Sequence, residues 1–434
     1  MGQGGGSIVN RVSQMPLRAP SVLGRSLQKG KGNVVDEILV VLWLIFLPLE
    51  FPMAAPLRYP VAFLMLAMVV LHWRQILHSF KQVKWFFLLP ALCLLSALWA
   101  AAPFEALRFG VLLTIGFIVA LYTAVRLDHR QFVVALLISS SLLMLASLFN
   151  MEKQLVGGID GGYAVIGVFP QKNVLGVRML ILSLAAFVVL TDRRYGHIWR
   201  LLAAGSLLPA AFLLFKAQSA TALLLYIGAL GLLGFLVLIW RPAARVRGLR
   251  PVLVAGMVML AALGSLVMTN VLRLDPVDKV LTSLGKSTTL TGRTDIWQVA
   301  QQSIAENPVL GLGAGNFWRD EVNAAVSIAN RFHHEGSQFY FHNAYYEVTV
   351  DLGFIGLALF VWLFVTGLYL VVRHWLRHQR DIDPFFIGMA AIIFMRSFTE
   401  SEMFSTFLMN PMIFWTGVFM AALALRQKVR PVHP

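Results

Sequence analysis

The chain has 434 residues, 58% of them hydrophobic and 13% charged, with a formal net charge of +15. A soluble domain carries about a quarter charged residues, so this composition excludes an ordinary water-soluble globule. The single cysteine, Cys93, also excludes an intrachain disulfide or a thiolate metal cluster.

In chain order, residues 1–33 are polar, basic and glycine-rich, and read as a disordered cytoplasmic arm with no cleavable signal peptide. Twelve apolar runs follow, at about 37–54, 57–73, 84–101, 106–125, 131–149, 173–191, 198–215, 219–240, 251–271, 345–372, 384–400 and 409–425. Each is long enough to cross a bilayer as a helix. Backbone groups in lipid must pair within their own segment, so these runs predict an all-α polytopic membrane protein. The organisation expected is a tail (1–33), nine spans (34–271), a long loop (272–344), three spans (345–425) and a short tail (426–434).

Alternate connections carry the positive charge, for example Arg74, Lys81 and Lys84, then Arg241, Arg245, Arg247 and Arg250, then Arg373, Arg377 and Arg380. With the two tails they hold 23 of the 36 basic residues, and the positive-inside rule makes that side cytoplasmic. Both termini are then inside and the 272–344 loop faces outward. The pI of about 10.3 is thereby a topology signal, and nucleic-acid binding is not needed to explain it.

The informative cations are those on the other side. Arg58 and Arg108 can snorkel, and Lys153 lies beside Glu152. Lys172 and Arg178 bracket the start of the sixth span, and Arg396 lies within the eleventh, four residues before Glu400. Ionisable residues at membrane depth are costly and are kept mainly for function or for a partner. The plainer readings are an i,i+4 ion pair of Arg396 with Glu400, snorkelling for Arg178, and an interface anchor for Lys216.

In the loop, Ile296, Trp297, Ala300 and Ile304 share one face of a helix expected over 294–307, stopped by Pro308. That amphipathic helix is expected along the membrane surface. Arg293 stands before its N-terminus, where free N–H groups also favour an anion; an ordinary capped surface arginine is the alternative. Gly311, Gly313 and Gly315 read as turn glycines, because no βαβ unit surrounds them. A second short helix is expected over 316–330. His333, His334 and Glu335 lack the spacing of a helical zinc site. His342 opens the tenth span among aromatic residues and is suited to accept a hydroxyl proton, with an aromatic-belt residue as the plainer reading. Asn343 and Glu347 follow on the same helix, placed to orient a substrate or Arg293.

Gly292-Arg293-Thr294-Asp295-Ile296-Trp297, Asn307-Pro308-Val309-Leu310-Gly311-Leu312-Gly313, Phe317, His342-Asn343 and Leu352-Gly353-Phe354-Ile355-Gly356 together resemble the O-antigen ligase and polysaccharide polymerase family. Gln171-Lys172-Asn173-Val174-Leu175-Gly176 is similar to the lysine-asparagine motif of its exopolysaccharide-polymerase branch, with Gln171 where the common form has histidine. The resemblance implies an inner-membrane glycosyltransferase with its site facing the periplasm, using neither a cofactor nor an essential metal. Its donor would be a glycan on undecaprenyl pyrophosphate, and its acceptor a sugar hydroxyl on a glycan or on lipid A–core. Membrane lipids, a flippase and a chain-length regulator are the implied partners.

On that basis Arg293, Arg178, Lys172 and Arg396 are expected to bind the pyrophosphate. His342 is the expected base for an inverting displacement, and Asn343, Glu347, Asn173 and Glu400 are expected to orient substrate. Two rivals are a ligase acting on lipid A–core and a permease or flippase with charges lining its path. The lysine-asparagine motif favours polymerase over ligase, and the gathering of charges at the outer helix ends favours an enzyme over a transporter.

Overall fold

The long apolar runs fold as helices, and local capping decides where several of them begin. Asn33 accepts from the Asp36 amide at 3.1 Å while the Asp36 carboxylate accepts from the Asn33 amide at 2.8 Å. Asp128 and Gln131 form the same reciprocal box. The computed structural model describes residues 32–49, 55–155, 162–266, 293–319, 322–331, 340–378 and 383–426. The tails, the residues 267–292 of the long loop and the His333-His334-Glu335 cluster lie outside that description.

The principal helices are α1 (Val34–Phe46), α2 (Arg58–Leu71), α3 (Trp73–Val83), α4 (Leu88–Leu95), α5 (Pro103–Arg126), α6 (His129–Phe149), α7 (Lys172–Thr191), α8 (His197–Lys216) and α9 (Ala220–Gly234). They continue as α10 (Leu249–Leu266), α11 (Arg293–Glu306), α12 (Asn323–Arg331), α13 (Ala344–His378), α14 (Asp383–Ser397) and α15 (Met409–Arg426). The described strands are a short antiparallel hairpin, β1 (Lys153–Leu155) with β2 (Tyr163–Val165). The chain is an all-α polytopic membrane protein. Among the described residues, seven helices are long and apolar enough to span a bilayer, and shorter apolar helices occupy Arg58–Leu71, Leu249–Met259 and Pro384–Ser397.

α7 is the inner helix. It packs against α6, α8, α9 and α14, and is buried along most of its length. Close approach of α9 relies on Gly176, where a Cβ would come within 2.6 Å of the Ala222 methyl. A different cluster fixes the far end of the bundle. There Arg126 of α5 donates to Asp36 of α1 at 2.8 Å, and Tyr122 also donates to Asp36.

The tenth predicted span is not one unbroken helix. Gly353 adopts φ 65° and ψ −168°, which splits α13 into two helical pieces. Such a break orphans backbone groups that a membrane interior cannot satisfy. The glycine-rich segment after α11 supplies the partners. The Leu312 and Gly313 amides donate to the carbonyls of Val350 (3.0 Å) and Asp351 (2.8 Å), and the Phe354 amide donates to Pro308 O (2.8 Å). The Gly315 amide donates to the Asp351 carboxylate at 2.7 Å. Gly311, Gly313 and Gly315 all have positive φ, so these turn glycines serve to bring backbone against backbone.

The expected orientation of the amphipathic loop helix is corrected. α11 turns Ile296 and Ala300 into a small second core with Phe317, Ala325, Ile328, Phe341 and Val350. Its apolar face is therefore covered by protein. Trp297 stacks on Tyr346 at 5.6 Å, which binds α11 across the start of α13.

Candidate active site

The second core sets His342. The carbonyl of Phe341 accepts from Trp297 Nε1 at 2.9 Å, and its amide donates to Glu347 Oε2 at 2.9 Å. With the Phe341 ring buried, the next residue is delivered in a fixed pose. His342 has φ 51°, an uncommon conformation for a residue with a side chain. Asn343 then caps the helix, its Oδ1 accepting from the Tyr345 amide at 2.9 Å and the Tyr346 amide at 3.3 Å.

His342 Nδ1 faces Glu400 Oε2 at 3.2 Å, and Arg293 Nη2 lies 3.6 Å from Glu400 Oε1. α14 ends at Ser397, so Glu400 projects from the turn that follows and reaches both the loop helix and α13. Burial alone would raise the Glu400 carboxyl; its hydrogen bond to His342 and the charges of Arg396, His342 and Arg293 outweigh that and hold it below the usual range. Burial lowers the Arg293 guanidinium, Glu400 opposes that effect and Arg396 adds to it, with a net lowering. A guanidinium begins so high that it stays charged.

A second layer lies beneath. Arg396 binds the Glu402 carboxylate through Nε at 3.2 Å and through Nη2. Asn410 Nδ2 donates to Glu402 at 2.6 Å, and Arg178 Nη1 donates to Asn410 Oδ1 at 2.6 Å. The plainer reading of Arg396, an ion pair with Glu400, is thus not the pair formed: Arg396 pairs with Glu402, and Glu400 turns to Arg293 and His342. Arg178 Nε is buried without a hydrogen-bond partner, an uncommon state for so polar an atom. Arg396, Ser397, Glu400, Glu402 and Asn410 line a narrow crevice between the layers, too tight in this conformation to admit a water.

Exposure separates the residues by reach. The side chains of Arg293 and His342 keep 20% and 31% of their surface, whereas Arg178 and Arg396 are buried. Three guanidinium groups face two carboxylates, so the cluster carries about +1 before His342 is counted. A ligand can touch Arg293 and His342 directly and feel the inner pair mainly as charge.

Of the other residues singled out in the sequence, Lys172 and Asn173 open α7 at the same end of the bundle, where Asn173 Oδ1 accepts from Ser219 Oγ at 2.8 Å. Glu347 accepts from Trp318 Nε1 at 2.9 Å, the Phe341 amide at 2.9 Å and Ser401 Oγ at 2.8 Å. Lys216 lies over the Phe212 ring, 5.7 Å from its centroid. Glu402, Asn410 and Ser401 were missed by sequence reasoning. Glu400-Ser401-Glu402 is an acidic pair beside a buried arginine, and that pairing was the available signal.

Residues 204–361 match the family described as O-antigen ligase. That stretch contains Arg293, His342 and Glu347, while Glu400 lies beyond it. The chain is also 28% identical over 352 residues to the exopolysaccharide production protein ExoQ of Rhizobium meliloti (strain 1021), covering 79% of this chain and 78% of that protein.

Proposed function

We propose that this chain, a member of the O-antigen ligase and exopolysaccharide polymerase family, is a membrane glycosyltransferase that extends a glycan carried on undecaprenyl pyrophosphate. The observation that carries the reading is the Arg293–Glu400–His342 chain. If Nδ1–H of His342 donates to Glu400, then Nε2 is the basic nitrogen of that tautomer. Nε2 takes the proton of an acceptor sugar hydroxyl as its oxygen attacks the anomeric carbon. The bond from that carbon to the pyrophosphate breaks, its electron pair leaves with the phosphate, and configuration inverts.

Arg293 contacts the departing phosphate oxygens, because a guanidinium offers a planar pair of donors and remains reachable. Arg178 and Arg396 add positive potential from behind, in a low-dielectric setting where such charge acts strongly. Lys172 extends the same field at the mouth of α7. The site faces the periplasm of the bacterial inner membrane, with both termini cytoplasmic, as the distribution of Lys and Arg supports. No nucleotide sugar is needed there, since the activated bond arrives on lipid.

The similarity to an exopolysaccharide production protein supports a growing glycan over lipid A–core as acceptor. The test is transfer in proteoliposomes from a synthetic undecaprenyl-pyrophosphate-linked repeat, offered either a second copy of that lipid or lipid A–core. Elongated lipid-linked product is expected. Product on lipid A–core alone would make the protein a ligase, and transport without transfer would overturn the reading.

A further inference from the structure

The Glu347 carboxylate is buried, 6% exposed, at the start of a membrane helix, where an ionisable group is costly to keep. Its three donors come from three separate segments. Trp318 belongs to the turn after the glycine-rich segment, Phe341 immediately precedes His342, and Ser401 immediately follows Glu400. The last two share a single oxygen, Oε2, with distances of 2.9 and 2.8 Å. That one atom therefore fixes how far the backbone at 341 lies from the side chain at 401. Between those two points hang His342 and Glu400, 3.2 Å apart.

We infer that Glu347 is a positioning residue which, without touching substrate, holds His342 and Glu400 in register by clamping residue 341 to residue 401. This rests on the proposed transfer reaction for its consequence and on geometry alone for its cause. A carboxylate suits the task because it only accepts, and here three donors point at its two oxygens. Glutamine keeps the size but turns one acceptor into a donor, so it can satisfy the set only in part. Alanine removes the carboxylate that the Phe341 amide and the Trp318 indole donate to, and the φ 51° pose of His342 loses its support.

Two measurements on the full chain in lipid test this. The first needs no activity: His342→Cys and Glu400→Cys are introduced together, and closure of the pair by a short bifunctional thiol reagent, about as long as the side chains it replaces, is followed by mass spectrometry. Cys93 is buried, which keeps its background low. The cross-linking rate should fall at least about tenfold when Glu347→Ala is added, because a reagent of fixed length closes only a pair held at one separation. Ser401→Ala should produce a smaller fall in the same direction, and serves where the alanine at 347 fails to fold. An unchanged rate in both backgrounds would overturn the inference.

The second measurement is kinetic. Glu347→Ala should lower kcat on the order of 100-fold, since a displacement of about 1 Å can cost that much, with the donor KM within about twofold. Glu347→Gln should recover part of the loss. The double variant His342→Ala/Glu347→Ala should be no worse than His342→Ala alone, because residues acting as a unit are not additive. Additive losses would mean that Glu347 acts elsewhere. A wild-type protein without transfer activity, whose cross-link still depends on Glu347, would refute the reaction while leaving the clamp intact.

Discussion

His342 Nδ1 and Glu400 Oε2 lie 3.2 Å apart although 58 residues separate them in the chain. Three segments create that contact: the turn after α14, the capped start of α13, and α11, whose Arg293 meets the other Glu400 oxygen. A carboxylate between an imidazole and a guanidinium orients the first and holds the second. Nucleophile-activating sites on unrelated folds use the same division of labour between a base and the group that orients it.

His342→Ala should lower kcat for glycan transfer by about 10²–10⁴, the usual contribution of a general base. Protein amount and thermal midpoint in detergent should stay near those of the wild type, because the ring side chain keeps 31% of its surface exposed. Steady-state kinetics in proteoliposomes checks this.

Arg293→Lys and Arg293→Ala should both raise the donor KM and lower kcat. Lysine should recover only a fraction, since a point charge cannot present two parallel donors to one phosphate. Inhibition by added inorganic pyrophosphate should weaken in parallel, measured as the concentration that halves transfer.

The depressed Glu400 carboxyl gives a signed dependence on pH. Its ordinary value is 4.5, and its partners hold it lower in the folded protein. The unfolded chain therefore binds the proton first, so the stabilisation from Glu400 is fully present above the ordinary value. It disappears as pH falls through the lower, folded value. The difference in thermal midpoint between wild type and Glu400→Gln should be steady from pH 7 to about 6 and should shrink below about pH 4. A difference that grows on acidification would reverse the assignment.

Gly353→Ala should destabilise the protein by about 1–3 kcal/mol or more, the usual range for a non-glycine residue in a disfavoured backbone region. A Cβ there would collide with the Val309 carbonyl, which belongs to the segment that mends the broken helix. Thermal unfolding in detergent measures the loss. Gly367→Ala, on the same helix without a positive φ and with no neighbour nearer than 3.0 Å to the added Cβ, should cost less.

The bundle was legible in the sequence because apolar length is what a bilayer demands, and the runs and the helices largely coincide. Arg293, His342, Arg178 and Arg396 stood out because each breaks a rule of composition or charge placement. Asn410 broke none, for amides are unremarkable near helix ends, and only the fold turns it toward Arg178; Glu402 was signalled only by its place two residues after Glu400. The Gly353 break was invisible because hydropathy carries no information on φ. The direction of α11 was ambiguous for a similar reason: an apolar face suits either lipid or a protein core, and Phe317 and Phe341 supply the core.

The central claim is that the Arg293–Glu400–His342 chain performs transfer from a lipid pyrophosphate. The most direct measurement is single-turnover transfer in sealed proteoliposomes, using a radiolabelled undecaprenyl-pyrophosphate repeat and comparing wild type with His342→Ala, Glu400→Gln and Arg293→Ala. Wild type should release undecaprenyl pyrophosphate together with an elongated, anomerically inverted glycan, while each variant is slowed about 100-fold or more. Transfer at wild-type rates by His342→Ala, or a product with retained configuration, would contradict it.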